Sequence, residues 1–339
     1  MSSSVADTKP GDLPRTPRDW VPLLLVPALM VLAAPLFGNV SSWVTLTTAG
    51  LAMGMMIFLM ASGLTLVFGL MDVINFGHGV FISLGAYATL LVLGPLAAWG
   101  EADSLVLNLS LLGLCILAAM AVTAAVGMLF ERVIVRPVYG SHLKQILVTV
   151  GGLIVAEQFI HAIWGASPIT VALPQTLRGA FVFGDVAIER YRVIAVVIGL
   201  AVFGLMHLVL NRTRIGLLIR AGVENAEMVE SLGYRIRRLF VSVFVAGSAL
   251  AGLGGVMWAF YRQTLTAGMG MDVMVLVFIV IIIGGLGSIG GCFVGSLLIA
   301  LTANYVGFLA PKLALVSNIL VMALVLIWRP QGLFPVNRQ

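Results

Sequence analysis

Leu51-Ala52-Met53-Gly54-Met55-Met56-Ile57-Phe58-Leu59-Met60-Ala61-Ser62-Gly63-Leu64-Thr65-Leu66-Val67-Phe68-Gly69-Leu70 carries no charged side chain. A helix needs about 20 such residues to cross the hydrocarbon core of a bilayer. The rest of the chain agrees: 60% of its 339 residues are hydrophobic and 10% charged, with a mean hydropathy of +1.11. A soluble domain carries about 25% charged residues, so too little polar surface is left to cover a water-soluble body. The fold class is therefore an all-α integral membrane protein.

Outward from this run, ten apolar segments can be drawn, at 20–37, 45–70, 76–98, 105–130, 145–165, 192–210, 240–260, 272–285, 291–309 and 313–328. The second and third meet at a Gly-rich junction and the eighth is short, so the expectation is eight to ten transmembrane helices. Residues 1–19 read as a disordered cytoplasmic tail and 20–339 as one polytopic membrane domain. Orientation follows from the basic residues. With the N-terminus inside, the inner loops collect Arg132, Arg136, Lys144, Arg212, Arg214, Arg220, Arg235, Arg237, Arg238 and Arg329. The other side keeps Arg178, Arg190, Arg192, Arg262 and Lys312. Both termini are expected in the cytoplasm. Net charge of +5 on such a chain marks cytoplasmic loops and gives no ground for a nucleic-acid partner. Cys115 and Cys292 lie inside apolar runs and form no disulfide framework.

Two loops are long. Residues 166–191 fall outside, and Ile169–Leu173 and Ala180–Phe183 read as short strands, in either a plain connector or a docking surface. Residues 211–238 fall inside and form the most charged region. There the stretch Glu224–Leu239 reads as an amphipathic helix with Met228, Val229 and Leu232 on one face, interrupted by Gly233.

Enzyme signatures are missing. No lysine sits in a Gly-rich loop followed by Ser or Thr, so the chain holds no ATP-hydrolysing phosphate loop. The histidines are scattered without metal-ligand spacing, and neither cofactor nor metal is expected. The sharpest polar feature is Asp72-Val73-Ile74-Asn75-Phe76-Gly77-His78-Gly79 between two apolar runs. Broken helices inside membrane proteins free backbone groups that can meet a polar solute. Asn75, Gly77, His78 and Gly79, with Asn304 from a later run, are the substrate-path candidates; the competing reading is a tight turn. The run 69–81 also resembles 285–293, a hint of internal duplication. Gly284, Gly285, Gly287, Gly290 and Gly291 are read as hinge or packing glycines. Glu157 and His161, one turn apart, read as a local pair.

Together these stretches resemble the LivH-type permeases of branched-chain amino acid ABC importers, a family that includes urea and short-amide permeases. The likeness runs from about residue 45 to the C-terminus. It is carried by Val73–Gly79 with Gly85-Ala86-Tyr87, by Glu131-Arg132 through Arg136-Pro137, by Gly247–Gly255, by Gly284–Gly291 and by Arg329-Pro330-Gln331-Gly332-Leu333-Phe334. The resemblance implies a transport subunit of a bacterial inner membrane. It implies four kinds of surroundings: a second homologous permease, two cytoplasmic ATPase subunits, a periplasmic solute-binding protein and membrane lipid. It also places the ATPase-coupling helix at Ala221–Gly233, with Glu224, Asn225, Met228 and Gly233 as its candidates, although Asn225 and the late Gly233 depart from the familiar pattern. An ion-coupled secondary transporter is the rival class, with Asp72 and Glu157 as its acidic candidates.

Overall fold

The computed structural model describes residues 20–335, so the expected disordered tail 1–19 lies outside the described residues. Each of the ten apolar runs is helical. In chain order the elements are α1 (Val21–Ala33), α2 (Val40–Met71), α3 (His78–Leu93), the short α4 (Ala97–Glu101), α5 (Leu105–Phe130), α6 (His142–Trp164), α7 (Arg190–Arg212), α8 (Arg214–Glu224), α9 (Ala226–Ser231), α10 (Ile236–Arg262), α11 (Met269–Gly284), α12 (Ile289–Leu309) and α13 (Ala314–Trp328). Four short strands, β1 (Ile169–Thr170), β2 (Ala180–Phe183), β3 (Val186–Glu189) and β4 (Thr264–Leu265), and five short 3-10 or π-helical turns complete the list. Helices α2, α5 with its continuation to Val138, α6, α7, α10 and α12 are long and apolar enough to cross a membrane; α3 and α11 are shorter.

Polar side chains punctuate the apolar runs where the helices begin. Asn39 accepts from Ser42 N (2.7 Å) ahead of α2, and Ser288 accepts from Gly291 N (3.1 Å) ahead of α12. Each satisfies a first-turn amide that has no partner within the helix. With 83% of its apolar window buried against 17% for α6 and for α7, α2 forms the centre and those two face outward.

Glycines let the inner helices touch backbone to backbone. A methyl group placed on Gly63 of α2 would lie 2.2 Å from the Gly247 carbonyl of α10, and one on Gly85 of α3 would lie 2.4 Å from Gly252. In lipid the hydrophobic effect does not drive helices together, so such close packing supplies the cohesion.

The bundle contains an inverted repeat. Asp72 (φ 52°) ends α2 and Gln263 (φ 54°) ends α10; they are the non-glycine residues of positive φ among those described. An extended segment follows each, then a glycine N-cap, Gly77 or Gly268, then a 16-residue helix, α3 or α11. The pairs Asp72/Gln263, Gly77/Gly268, Gly79/Gly270 and Gly94/Gly285 keep one constant spacing along the chain. Because α2 and α10 run in opposite directions, α3 and α11 also depart in opposite directions from a shared crossing, where a methyl on Gly270 would lie 2.1 Å from the Gly79 carbonyl.

The duplication is therefore real, but its register is not the one read from glycine runs. Stretches 69–81 and 285–293 are neighbours: a methyl on Gly69 would lie 2.5 Å from Gly287 Cα. Their likeness reflects a shared need for close approach at one contact.

At the end of the bundle away from most arginines, the 166–191 loop folds onto the helices. β1 pairs antiparallel with β4, Ile169 opposite Leu265, and β2 with β3 makes a hairpin. The two strands expected from the sequence thus form at Ile169–Thr170 and Ala180–Phe183, and β3 and β4 were not anticipated.

Candidate functional site

The segment 72–77 turns back into the bundle. The Nε2 of His78, first residue of α3, lies 2.9 Å from the Met60 carbonyl of α2. Met60 sits three turns before the end of α2 at Met71, so α3 begins about 16 Å in from that end. The chain descends along α2, turns at Asp72 and climbs back extended. Asn75 and His78 are 0% and 1% exposed, which places them inside the protein at membrane depth.

A carbonyl only accepts, so Nε2 of His78 carries the proton and Nδ1 is the acceptor. That Nδ1 has no hydrogen-bond partner among the described residues, and neither does Oδ1 or Nδ2 of Asn75. A buried polar group left unpaired costs about 1–3 kcal/mol. Among the substrate-path candidates these two therefore bring unspent hydrogen-bonding capacity to one place, the head of α3.

The glycines around them have defined roles. A methyl on Gly77 would lie 2.4 Å from the Phe130 ring and 3.0 Å from Asn75 Oδ1, and one on Gly79 would lie 3.0 Å from the Gly270 carbonyl. Ser83, one turn further along α3, donates to the Ala267 carbonyl (3.1 Å) and accepts from Gly270 N (3.0 Å), so α3 caps α11. Asn304 is elsewhere: its amide donates to the Ala300 carbonyl (2.9 Å) and lies 3.3 Å from Met53 Sδ, nearer the other end of α2. The structure does not bring Asn304 together with Asn75 and His78.

Residues that sequence reasoning missed hold the extended segment. Gln145 Oε1 of α6 accepts from Ile74 N (3.2 Å), and Thr149 Oγ1 accepts from Phe76 N (3.1 Å). His142, the first residue of α6, lies 3.7 Å from Asp72 Oδ2. The available signal was two uncharged polar residues one turn apart, Gln145 and Thr149, in an otherwise apolar run. Glu157 and His161 form the expected contact at 3.9 Å.

A second polar region lies at the arginine-rich end. After α5 a π-helical turn runs over Glu131–Val135, and the 1%-exposed Glu131 accepts from the Tyr139 hydroxyl (2.7 Å). Burial, and then the hydrogen bond and charge of Glu131, hold the Tyr139 phenol above its ordinary range.

The expected amphipathic helix over 224–239 is instead broken. Helix α8 ends at Glu224, and Asn225 Oδ1 accepts from Met228 N (2.8 Å) to start the six-residue α9. Gly233 then adopts φ 87°, a left-handed conformation that costs other residues about 1 kcal/mol or more, and α10 starts afresh at Ile236. Val229 is buried while Met228 and Leu232 are 60% and 69% exposed, so the three do not share a face. Glu230, Gly233, Tyr234, Arg235, Arg237 and Arg238 line a cleft of ≈ 400 Å³ beside them.

Of the hinge or packing glycines, Gly284 and Gly291 meet backbone to backbone, a methyl on Gly291 lying 1.8 Å from the Gly284 carbonyl. Gly285 (φ 97°) packs on the 331–334 turn and Gly287 (φ 84°) on Gly69, while a methyl on Gly290 would meet nothing within 4 Å. Among the described residues no group of three or more His, Cys, Asp or Glu side chains could hold a metal ion.

The family model for the permease component of branched-chain amino acid transport systems matches residues 46–328. The high-affinity branched-chain amino acid transport system permease protein BraD of Pseudomonas aeruginosa is 31% identical over 295 residues, 84% of this chain and 93% of that protein. The corresponding permease LivH of Escherichia coli is 26% identical over 292 residues, 84% of this chain and 92% of its own length. A probable branched-chain amino acid transport permease protein LivH of Methanocaldococcus jannaschii is 23% identical over 306 residues, covering 83% and 89% of the two chains. No solved structure matches the chain.

Proposed function

We propose that this chain, which belongs to the family of branched-chain amino acid transport permeases, is the membrane-spanning subunit of an ATP-driven importer for leucine, isoleucine and valine. Hydrolysis takes place in two cytoplasmic ATPase subunits, a second homologous permease completes the membrane part, and an extracytoplasmic binding protein delivers the solute. The protein sits in a bacterial inner membrane with both termini inside, and the arginine-rich end is cytoplasmic.

The observation that carries the solute path is the amide of Asn75, 0% exposed with neither polar atom bonded among the described residues. With Nδ1 of His78 it offers donors and acceptors to a solute bearing a carboxylate and an ammonium group. Gly77 and Gly79 keep the segment thin enough to move, and Asn304 serves the path nearer the outer face. Alternating access follows when helices rock about the glycine contacts and the head of α3 is uncovered to one side at a time. Asn225 and the turn at Gly233 present Met228 and Leu232 to the ATPase, and Glu224 closes the preceding helix.

The test is labelled leucine uptake in cells lacking the gene and in cells with it restored, with urea as a parallel substrate. Leucine uptake should return and survive an uncoupler while ATP is maintained. Asn75→Ala should lower it about tenfold, the equivalent of one charge-assisted hydrogen bond. Rescue of urea alone would move the substrate, and collapse with the uncoupler would replace the importer by an ion-coupled carrier.

A further inference from the structure

Helix α6 turns most of its surface outward, and its buried residues are Gln145, Thr149, Leu153 and Ile160. An outward-facing helix in lipid has no reason to bury polar side chains unless they meet partners, because each buried polar group needs one. Gln145 and Thr149 are 1% and 0% exposed, and both face the segment 72–77.

The match is geometric. His142, Gln145 and Thr149 lie on one face of α6 at intervals of three and four. Ile74 and Phe76 lie two residues apart in the segment that runs from the left-handed Asp72 to the turn before α3. Gln145 and Thr149 are about one helical turn apart, so both can meet this segment from the same face of α6. The rungs present are His142 with Asp72 at 3.7 Å, Gln145 with Ile74 N at 3.2 Å and Thr149 with Phe76 N at 3.1 Å. Thr149 is itself set: its hydroxyl donates to the Gln145 carbonyl (2.7 Å), which fixes the proton and leaves a lone pair for Phe76 N.

Fixing the amides of Ile74 and Phe76 against α6 fixes the residue between them, and that residue is Asn75. We infer that Gln145 and Thr149 are positioning residues: they act as a side-chain rail that holds the break between α2 and α3 extended and keeps the Asn75 amide unspent for the solute. The inference rests on the solute role of Asn75 proposed above. Without the rail the amides of Ile74 and Phe76 must find other acceptors, and the Asn75 side chain is one that the segment carries.

The test uses the assembled transporter with its partner subunits in nanodiscs, together with uptake in cells. Thr149→Val keeps the shape and removes the acceptor; Gln145→Leu does the same for the first rung; Thr149→Ser keeps the acceptor. Hydrogen exchange in peptides covering 72–78 should rise about tenfold in the first two, the equivalent of one backbone hydrogen bond each, and stay at wild-type level in Thr149→Ser. Uptake should fall with Thr149→Val and return with Thr149→Ser. In an Asn75→Ala background Thr149→Val should cause no further fall, since residues that act through one another are not additive. Unchanged exchange, or losses that multiply in the double variant, would overturn the positioning role. Normal uptake by Asn75→Ala alone would instead remove the solute role of Asn75, whatever exchange reports at Thr149.

Discussion

At the scale of single residues, backbone contact decides which positions tolerate change. A methyl on Gly270 would lie 2.1 Å from the Gly79 carbonyl and 2.6 Å from Ser83 Oγ. A carbonyl in a helix cannot move aside as a flexible side chain can. Gly270→Ala should therefore lower stability by about 1–3 kcal/mol, the usual range for overpacking. Gly113→Ala, whose methyl would meet nothing within 4 Å, should stay within about 0.5 kcal/mol of the parent. Thermal unfolding of the two variants in detergent checks the difference, and equal melting would disprove the close crossing of α3 and α11. The sequence drew attention to glycines but could not rank them, since Gly79, Gly270 and Gly290 look alike in a string of letters. Only the neighbour across the contact separates a glycine that must be small from one that is merely present.

At the scale of elements, α9 depends on its ends, because six residues cannot sustain a helix alone. Asn225→Ala removes the cap on Met228 N and costs about 1 kcal/mol. Gly233→Ala strains a left-handed turn at a similar cost of about 1 kcal/mol. Both variants should insert normally yet show uptake and ATP hydrolysis that are no longer proportional. Uptake at the parent rate in both would remove the coupling role of this element. The existence of the long helices was legible because apolar runs of bilayer length have few other uses. The division of 224–239 was less so. Gly233 announced a break, but Asn225 was read as a departure from a pattern when its short side chain is a helix cap. Likewise the turn at Asp72 was visible while its depth was not, since Gln145 and Thr149, which hold the returning segment, lie in a different helix.

At the scale of the whole molecule, the arginine-rich end should face the cytoplasm. Phe183, 67% exposed on the β2–β3 hairpin, and Leu232, 69% exposed beyond α9, lie at opposite ends of the bundle. Phe183→Cys should react with a membrane-impermeant maleimide in intact cells, and Leu232→Cys only after permeabilisation. The native Cys115 and Cys292 are buried and should stay silent. The opposite pattern would invert the orientation and the direction of transport inferred from it. The inverted repeat escaped the sequence because its halves share backbone shape with few shared side chains: Asp72 answers to Gln263, Asn75 to Thr266 and His78 to Met269.

The two halves of that repeat fasten their breaks by different means. The first leans on the side chains of Gln145 and Thr149, the second on main-chain pairing of Ile169–Thr170 with Thr264–Leu265. A single point substitution can loosen the first, whereas little short of a proline or a deletion can undo the second. Natural variation can therefore retune the first break one codon at a time while the second is inherited whole. A survey of suppressor mutations for sluggish variants should find the hits crowded onto one face of α6 and nearly absent from the strand that follows it.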